Sequence, residues 1–180
     1  DSSGPEAAQP LPDSALQLRI LRELSSMLQE RVGLNAVLGT VLEGIYRALG
    51  MDRVAFAVVV PPGDGLRAKY VLGDPEDRLA GCFLGSERRS AGNIFAEVLA
   101  SGRTVWVSRN SSGPAISSDI RACLGTDACF VAPLVAGERQ VGLIYADRAD
   151  SGRALDEESF SGLRHFCEQA NLGVAIFGQR

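Results

Sequence analysis

Apolar residues first recur at three-to-four spacing, at Ile20, Leu21, Leu24, Met27 and Leu28, while Arg19, Arg22, Glu23, Gln29 and Glu30 occupy the opposite positions. That period predicts an amphipathic helix over 14–32, capped by Asp13 or Ser14 behind Pro12 and stopped at Gly33. A second helix is expected from Asn35, with Asn35 as its cap and Leu34 as a hydrophobic staple. Leu38, Val41, Leu42, Ile45, Tyr46 and Leu49 form its stripe, and Gly50 ends it.

The pattern then shifts to β-branched and aromatic runs. Residues 53–60 read as a strand that turns at Pro61-Pro62-Gly63-Asp64-Gly65 and returns over 66–72, a hairpin. In the glycine-rich middle, Cys82-Phe83-Leu84 is expected to be a short strand, followed by a helix over 93–101 ended by Gly102. A short strand over 104–107 carries the single tryptophan, Trp106. A polar loop spans 108–114, and a short helix fits within 115–124. Two strands, 128–135 and 140–147, flank Ala136-Gly137-Glu138-Arg139 as a second hairpin. Pro133 inside the first of them requires an edge position or a bulge, because it cannot donate to a strand ladder. A last helix starts at the cap Asp156, with Leu155 and Phe160 as its staple. It presents Phe160, Leu163, Phe166, Cys167, Ala170, Val174 and Phe177 to the core or a partner.

Helix, helix, hairpin, mixed middle, hairpin, helix is an α+β order: an antiparallel sheet with terminal helices on one face. Three blocks resemble the GAF domain, a small-molecule-binding sensory module. The first runs from Leu34-Asn35-Ala36-Val37-Leu38 through Leu49-Gly50-Met51-Asp52-Arg53-Val54-Ala55. The second is Val131-Ala132-Pro133-Leu134 through Gln140-Val141-Gly142-Leu143-Ile144-Tyr145-Ala146-Asp147, and the third is Leu155-Asp156-Glu157-Glu158-Ser159-Phe160. More narrowly, Tyr145-Ala146-Asp147-Arg148 with Ser151-Gly152-Arg153-Ala154-Leu155-Asp156 resembles the GAF domain downstream of an HDOD domain in bacterial signalling proteins. The resemblance implies a GAF-like domain over 34–178, preceded by a signalling and dimerisation helix over 13–33 and a linker over 1–12. It also implies short helices and loops on the second face of the sheet, with the ligand site between that face and the middle segment.

Composition narrows this reading. The chain has 180 residues, a length that suits one domain with a proper core. Its apolar runs fall far short of the roughly 20 residues a membrane-spanning helix needs. Eighteen basic residues against 22 acidic ones leave nucleic-acid binding without electrostatic support. Lys69 is the only lysine among the cations. Cys82, Cys123, Cys129 and Cys167 lack zinc-knuckle spacing and sit in apolar surroundings, so buried free thiols in a cytoplasmic protein are expected.

Catalytic chemistry finds few candidates. His165, the single histidine, has no metal quorum and reads as a helix-surface or interface residue, so neither metal nor cofactor is expected. Asp119 and Asp127 flank Cys123, which fits a helix-start acid and a turn acid around a buried thiol. Among ligands known for GAF domains, cyclic nucleotides go with a dispersed Asn-Lys-Phe-Asp-Glu signature, whereas Asn93 and Phe95 lie close together here and Lys69 is misplaced. Bilins attach to a cysteine followed by histidine, but Leu124 follows Cys123, and His165 is poorly placed for haem.

The resemblance therefore implies a non-enzymatic sensory domain that relays through its terminal helices. Phe56, Val58, Phe83, Phe95, Trp106, Ile120, Cys123 and Phe130 are the candidate pocket residues, a list that ordinary core packing would also produce. The loop over 108–118 is a candidate lid. Ile20, Leu21, Leu24, Met27 and Leu28 are the candidate homodimer interface, since their stripe exceeds what a covered sheet needs. Two alternatives remain open: a thiol enzyme or sensor of the free-methionine-sulfoxide-reductase type using Cys123 or Cys129, and a ligand-free dimerisation scaffold.

Overall fold

The computed structural model describes residues 12–60, 65–83, 93–108 and 116–177. Helices α1 (Ser14–Glu30) and α2 (Leu34–Ala48) precede the strands β1 (Arg53–Val60) and β2 (Gly65–Leu72). Three short helices, α3 (Arg78–Phe83), α4 (Ile94–Ser101) and α5 (Ser118–Leu124), surround β3 (Val105–Val107). The chain closes with β4 (Cys129–Ala136), β5 (Arg139–Asp147) and α6 (Glu157–Phe177). The strands form one antiparallel sheet in the order β2-β1-β5-β4-β3. This is the expected α+β architecture.

Strand alternation sorts the sheet into two faces. Val54, Phe56, Phe130, Ala132, Leu134, Ile144 and Ala146 face a layer built from α1, α2 and α6. Ala55, Ala57, Val131, Leu143 and Tyr145 face the short helices α3, α4 and α5. Small residues let the long helices approach. A Cβ on Gly44 of α2 would lie 2.5 Å from the Phe166 ring of α6, and one on Gly162 would lie 2.5 Å from Leu49.

Several expectations need correction. Helix α2 begins at Leu34 with Gly33 in the cap position and no side-chain cap. Asn35 sits inside the first turn, where its Oδ1 accepts from Lys69 Nζ at 3.4 Å. Cys82 and Phe83 are helical, because the Asp74 carboxylate accepts from the Leu79 amide at 2.8 Å and starts α3 there. Residues 61–64 of the expected 61–65 turn, Leu84, residues 109–115 of the 108–118 lid and residues 1–11 of the 1–12 linker lie outside the described residues.

Helix α1 also differs in where its stripe goes. It packs on α2 and α6 of its own chain, so Leu24 is fully buried and Ile20 nearly so. Leu21, Met27 and Leu28 pack against the same core. These five residues are intramolecular packing, and a sheet covered by two helices still leaves a groove that a third one fills.

Pro133 is accommodated in both of the anticipated ways. Strand β3 pairs with β4 only through Val131, so β4 is an edge from Ala132 onward, and its register with β5 shifts between Leu134 and Val135. Asn171 of α6 takes the place of a neighbouring strand there. Its Oδ1 accepts from the Val135 amide at 3.0 Å, and its Nδ2 donates to the carbonyls of Cys167 at 3.0 Å and Pro133 at 3.4 Å.

One arginine binds the long helices to the end of the sheet. Buried Arg148 donates to the α2 C-terminal carbonyls of Leu49 at 2.8 Å and Gly50 at 3.1 Å. It also donates to the Ala154 carbonyl at 2.7 Å and to Ser159 Oγ at 2.8 Å in the first turn of α6. Asp156 caps that turn, accepting from the Ser159 amide at 2.7 Å, and pairs with Arg148 at 3.4 Å. Across the turn, Asp52 accepts from the Ser151 amide and hydroxyl, both at 2.7 Å.

Partial burial raises the Asp156 carboxyl, but the Ser159 and Arg148 hydrogen bonds outweigh it and hold the group below its ordinary value of 3.8. A carboxyl depressed in the folded state stabilises above its unfolded pKa and loses that contribution as the pH falls through the folded value. Asp156→Ala should therefore cost about 1 kcal/mol near neutral pH, as removal of a helix cap does. The difference from wild type in thermal midpoint should shrink steadily below about pH 4.

Candidate functional site

The face of the sheet under α3, α4 and α5 holds the groups with chemical character. Its aromatic centre is Phe83 of α3, Phe95 of α4 and Tyr145 of β5, all fully buried. Ring centroids are 5.0 Å apart for Phe83 and Phe95, 6.0 Å for Phe83 and Tyr145, and 6.2 Å for Phe95 and Tyr145. Beneath them β1 presents the small residues Ala55 and Ala57, which leaves room for the rings between sheet and helices. Asn93 positions Phe95 by capping α4, its Oδ1 accepting from the Phe95 amide at 3.0 Å and the Ala96 amide at 3.3 Å.

At one end of this face lies a buried ionic cluster. Arg53, 4% exposed, and Asp147, fully buried, are cross-strand partners on β1 and β5. Arg53 Nη2 donates to Asp147 Oδ2 at 2.6 Å, and Nε reaches both carboxylate oxygens at 3.1 Å. The same Nη2 donates to the Leu124 carbonyl at 2.6 Å, fastening the end of α5 to the sheet. The Tyr145 hydroxyl donates to Asp147 Oδ2 at 2.5 Å, and the Ala149 amide donates to Oδ1 at 3.0 Å. A buried ion pair persists only when its remaining polar positions are satisfied in this way.

The electrostatics follow from this burial. Desolvation lowers the Arg53 guanidinium, yet the hydrogen bonds and charge of Asp147 hold it above its ordinary value. Burial, with Cys129 and Asp147 adding, pushes the Tyr145 phenol well above its usual range. Cys129 is fully buried beside the cluster, and burial first, then Asp147, pushes its thiol far up. Cys167, buried in the helical layer, is pushed up to about 12 by burial, with Glu168 adding.

The expectation of four free thiols is corrected on this face. Cys82 of α3 and Cys123 of α5 form a disulfide with 5.7 Å between their Cα atoms, while Cys129 and Cys167 are free. The two half-cystines lie 41 residues apart in sequence. Sequence reasoning missed it because Cys82 was expected in a strand. On two short helices packed side by side, the two cysteines meet.

The eight candidate pocket residues divide between the faces. Phe83, Phe95, Ile120 and Cys123 belong to the layer over the middle face. Phe56, Val58, Trp106 and Phe130 point into the helical layer, where Trp106 packs on Phe130 at 5.7 Å and Phe160 at 5.8 Å. They share no site with the first four, because the sheet separates them. The middle face of β1 belongs to the odd-numbered residues, and Arg53 within an apolar run was the available signal. An arginine there requires a partner, and Asp147 ends the neighbouring strand. His165 is exposed on α6. Among the described residues, no group of three His, Cys, Asp or Glu could hold a metal ion.

Two open grooves lie elsewhere, one of about 620 Å³ between α1, α2 and β2, and one of about 360 Å³ beside α6 that includes Arg103 and Arg164. A cavity of about 200 Å³ adjoins the ionic cluster, bounded by Arg53, Asp74, Arg78 and Asp150.

The chain matches the GAF domain over residues 33–174, and it belongs to that family. GAF domains form a sensory and regulatory fold of signalling proteins. Its fold is similar to that of a phycoerythrobilin-bound GAF domain from a cyanobacterial phytochrome, at 16% identity and TM-score 0.68, covering 89% of this chain and 94% of that one. It is similar to a methyl-accepting chemotaxis protein, at 21% identity and TM-score 0.64, covering 84% and 94%. It is also similar to free methionine-R-sulfoxide reductase from Neisseria meningitidis in complex with its substrate, at 20% identity and TM-score 0.66, covering 95% and 98%. No curated protein matches the chain. No helix among the described residues is long and apolar enough to cross a membrane.

Removing one partner of the Arg53–Asp147 pair strands a buried charge, which costs roughly 3–5 kcal/mol. Arg53→Met should therefore destabilise strongly in urea denaturation, and Arg53→Met with Asp147→Leu should recover much of the loss. A double variant no more stable than the single one would contradict this account of the cluster.

Proposed function

We propose that the chain is the non-enzymatic sensory domain of a bacterial, cytoplasmic signal-transduction protein. It binds a small, mostly apolar or aromatic molecule on the middle face of the sheet and relays the bound state through α1 and α6. An output domain, of the HDOD type or another, completes the full-length protein, with 13–33 as the signalling helix and 34–178 as the sensory unit. The observation that carries this reading is the unequal cover of the sheet. Three long helices cover one face, and helices of 6, 8 and 7 residues cover the other. Short, separately fastened elements open at lower cost than a packed helical layer, which is where ligand access is expected.

The relay is accompanied by homodimerisation, now on a different surface. Leu18, Val32, Leu172 and Ile176 are the exposed large apolar residues of α1, its C-terminal turn and α6. A two-fold pairing would cover them as a helical bundle. Leu24→Arg would disrupt the monomer core and so cannot report on assembly. Leu172→Asp with Ile176→Asp should instead give monomers with an unchanged thermal midpoint in sedimentation experiments at micromolar concentration. A wild type that sediments as a monomer there would rule the dimer out.

For the ligand, a thermal-shift series with indole, phenol, cyclic GMP and biliverdin separates the classes. At least one of the two small aromatics should raise the midpoint saturably, and cyclic GMP should not. Saturable stabilisation by cyclic GMP, or by neither aromatic, would overturn the ligand class. Trp106→Ala, which faces the helices, is not a test of this site.

A second reading, thiol enzymology, is favoured by the Cys82–Cys123 pair and by the likeness to a methionine-R-sulfoxide reductase. It no longer involves Cys129, whose buried thiol is held protonated. Thiol-dependent reduction of free methionine-R-sulfoxide, abolished by Cys123→Ser, would establish it.

A further inference from the structure

Three of the four cysteines are buried, and Cys123 is the exposed one. Cys129 and Cys167 are fully enclosed, and burial raises both thiols, so neither presents a thiolate to solvent. Cys123 occupies an exposed position on α5, and its partner Cys82 is buried in α3, so the bridge is reached from the Cys123 side. Thiol–disulfide chemistry in the folded chain is thereby confined to one bridge.

What that bridge holds is a single short helix. Leu124 is the buried residue of α5, with Ile120 partly buried beside the same cluster. Apart from those contacts, α5 is tied down at the Leu124 carbonyl by Arg53 and, one residue earlier, by the disulfide to α3. Gly125 follows directly as the left-handed C-cap, with φ +73°. Helix α3, by contrast, buries Leu79, Cys82 and Phe83 and packs along β2. Among the described residues, breaking the bridge would leave α3 seated and α5 held by Leu124, Ile120 and the hydrogen bond from Arg53.

We propose that Cys82–Cys123 is a reversible thiol–disulfide latch that fixes α5 over the middle face when oxidised and releases it when reduced. The reductant is a dithiol. Its thiolate attacks Cys123 Sγ, forming a mixed disulfide and breaking the Sγ–Sγ bond, and Cys82 leaves as a thiolate that takes a proton. The Arg78 carbonyl, 3.2 Å from Cys82 Sγ, then accepts from the new thiol. The reductant's second thiol attacks its own sulfur in the mixed disulfide, releasing Cys123 and leaving the reductant oxidised by two electrons. A peroxide reverses the step: one cysteine thiolate becomes a sulfenic acid with loss of water or hydroxide, and the other thiol condenses with it, releasing water. The latch depends neither on a bound ligand nor on turnover.

The test uses the full 180-residue chain. Native maleimide labelling should modify no cysteine in the oxidised protein and Cys82 and Cys123 alone after dithiothreitol, with hydrogen peroxide restoring protection. Amide hydrogen exchange in α5 should rise by about tenfold or more on reduction while α2 and α6 stay unchanged, a local opening and not global unfolding. Cys82→Ser and, separately, Cys123→Ser should show the fast α5 exchange without reductant and no further response to it. A bridge that resists dithiothreitol in the folded chain would overturn the proposal. So would α5 exchange that is indifferent to reduction, or reduction that accelerates exchange throughout the helical layer and marks the bridge as a global staple.

Discussion

Asp147 and Arg148, consecutive residues where β5 ends, send their side chains to opposite layers. Asp147 is buried against Arg53 and Tyr145 and, through Arg53, holds the Leu124 carbonyl of α5. Arg148 is buried against the last carbonyls of α2 and the first turn of α6. Burial makes both positions demanding, since an ionic group enclosed without full hydrogen bonding costs several kcal/mol. The two layers are therefore not independently attached to the sheet. Asp147 and Arg148 share one peptide unit, so both layers are fastened to the same point of the backbone.

That constraint connects fold to signalling. A domain that senses must let one region respond to a small perturbation while another converts the response into a change at its ends. The middle layer consists of short helices fastened by a few identifiable bonds. The helical layer is continuous, close-packed at Gly44 and Gly162, and contains both α1 and α6. The end of β5 is where the two layers are both hydrogen-bonded to the sheet. Membership of the GAF family places this arrangement within a fold used for sensing and regulation.

Much of this was legible in the residues. Period-3.6 stripes locate α1, α2 and α6, β-branched and aromatic runs locate the hairpins, and Pro133 calls for an edge position or a bulge. The Tyr145–Asp156 stretch, legible as a family feature, is physically the region that locks the α2–β1 turn to the start of α6. The candidate site was less legible because large aromatic side chains were weighted above strand parity. Phe56 and Phe130 are bulky but on the helical face, whereas Ala55 and Ala57 are small and on the middle face. Pairing of Cys82 with Cys123 depends on two helices meeting across 41 residues, which no local pattern encodes. The apolar stripe of α1 is plain in the sequence, and it packs against α2 and α6 of the same chain.

Coupling between the layers is the central claim, and a double-mutant cycle in urea between Tyr145→Phe and Asp156→Ala tests it most directly. The first substitution removes the hydroxyl that donates to Asp147 on the middle face, and the second removes the α6 cap on the other side of the sheet. Sites without shared partners add to within about 0.5 kcal/mol, so an interaction energy clearly above that is the expected result. Strict additivity of the two losses would show that the end of β5 transmits nothing from one layer to the other.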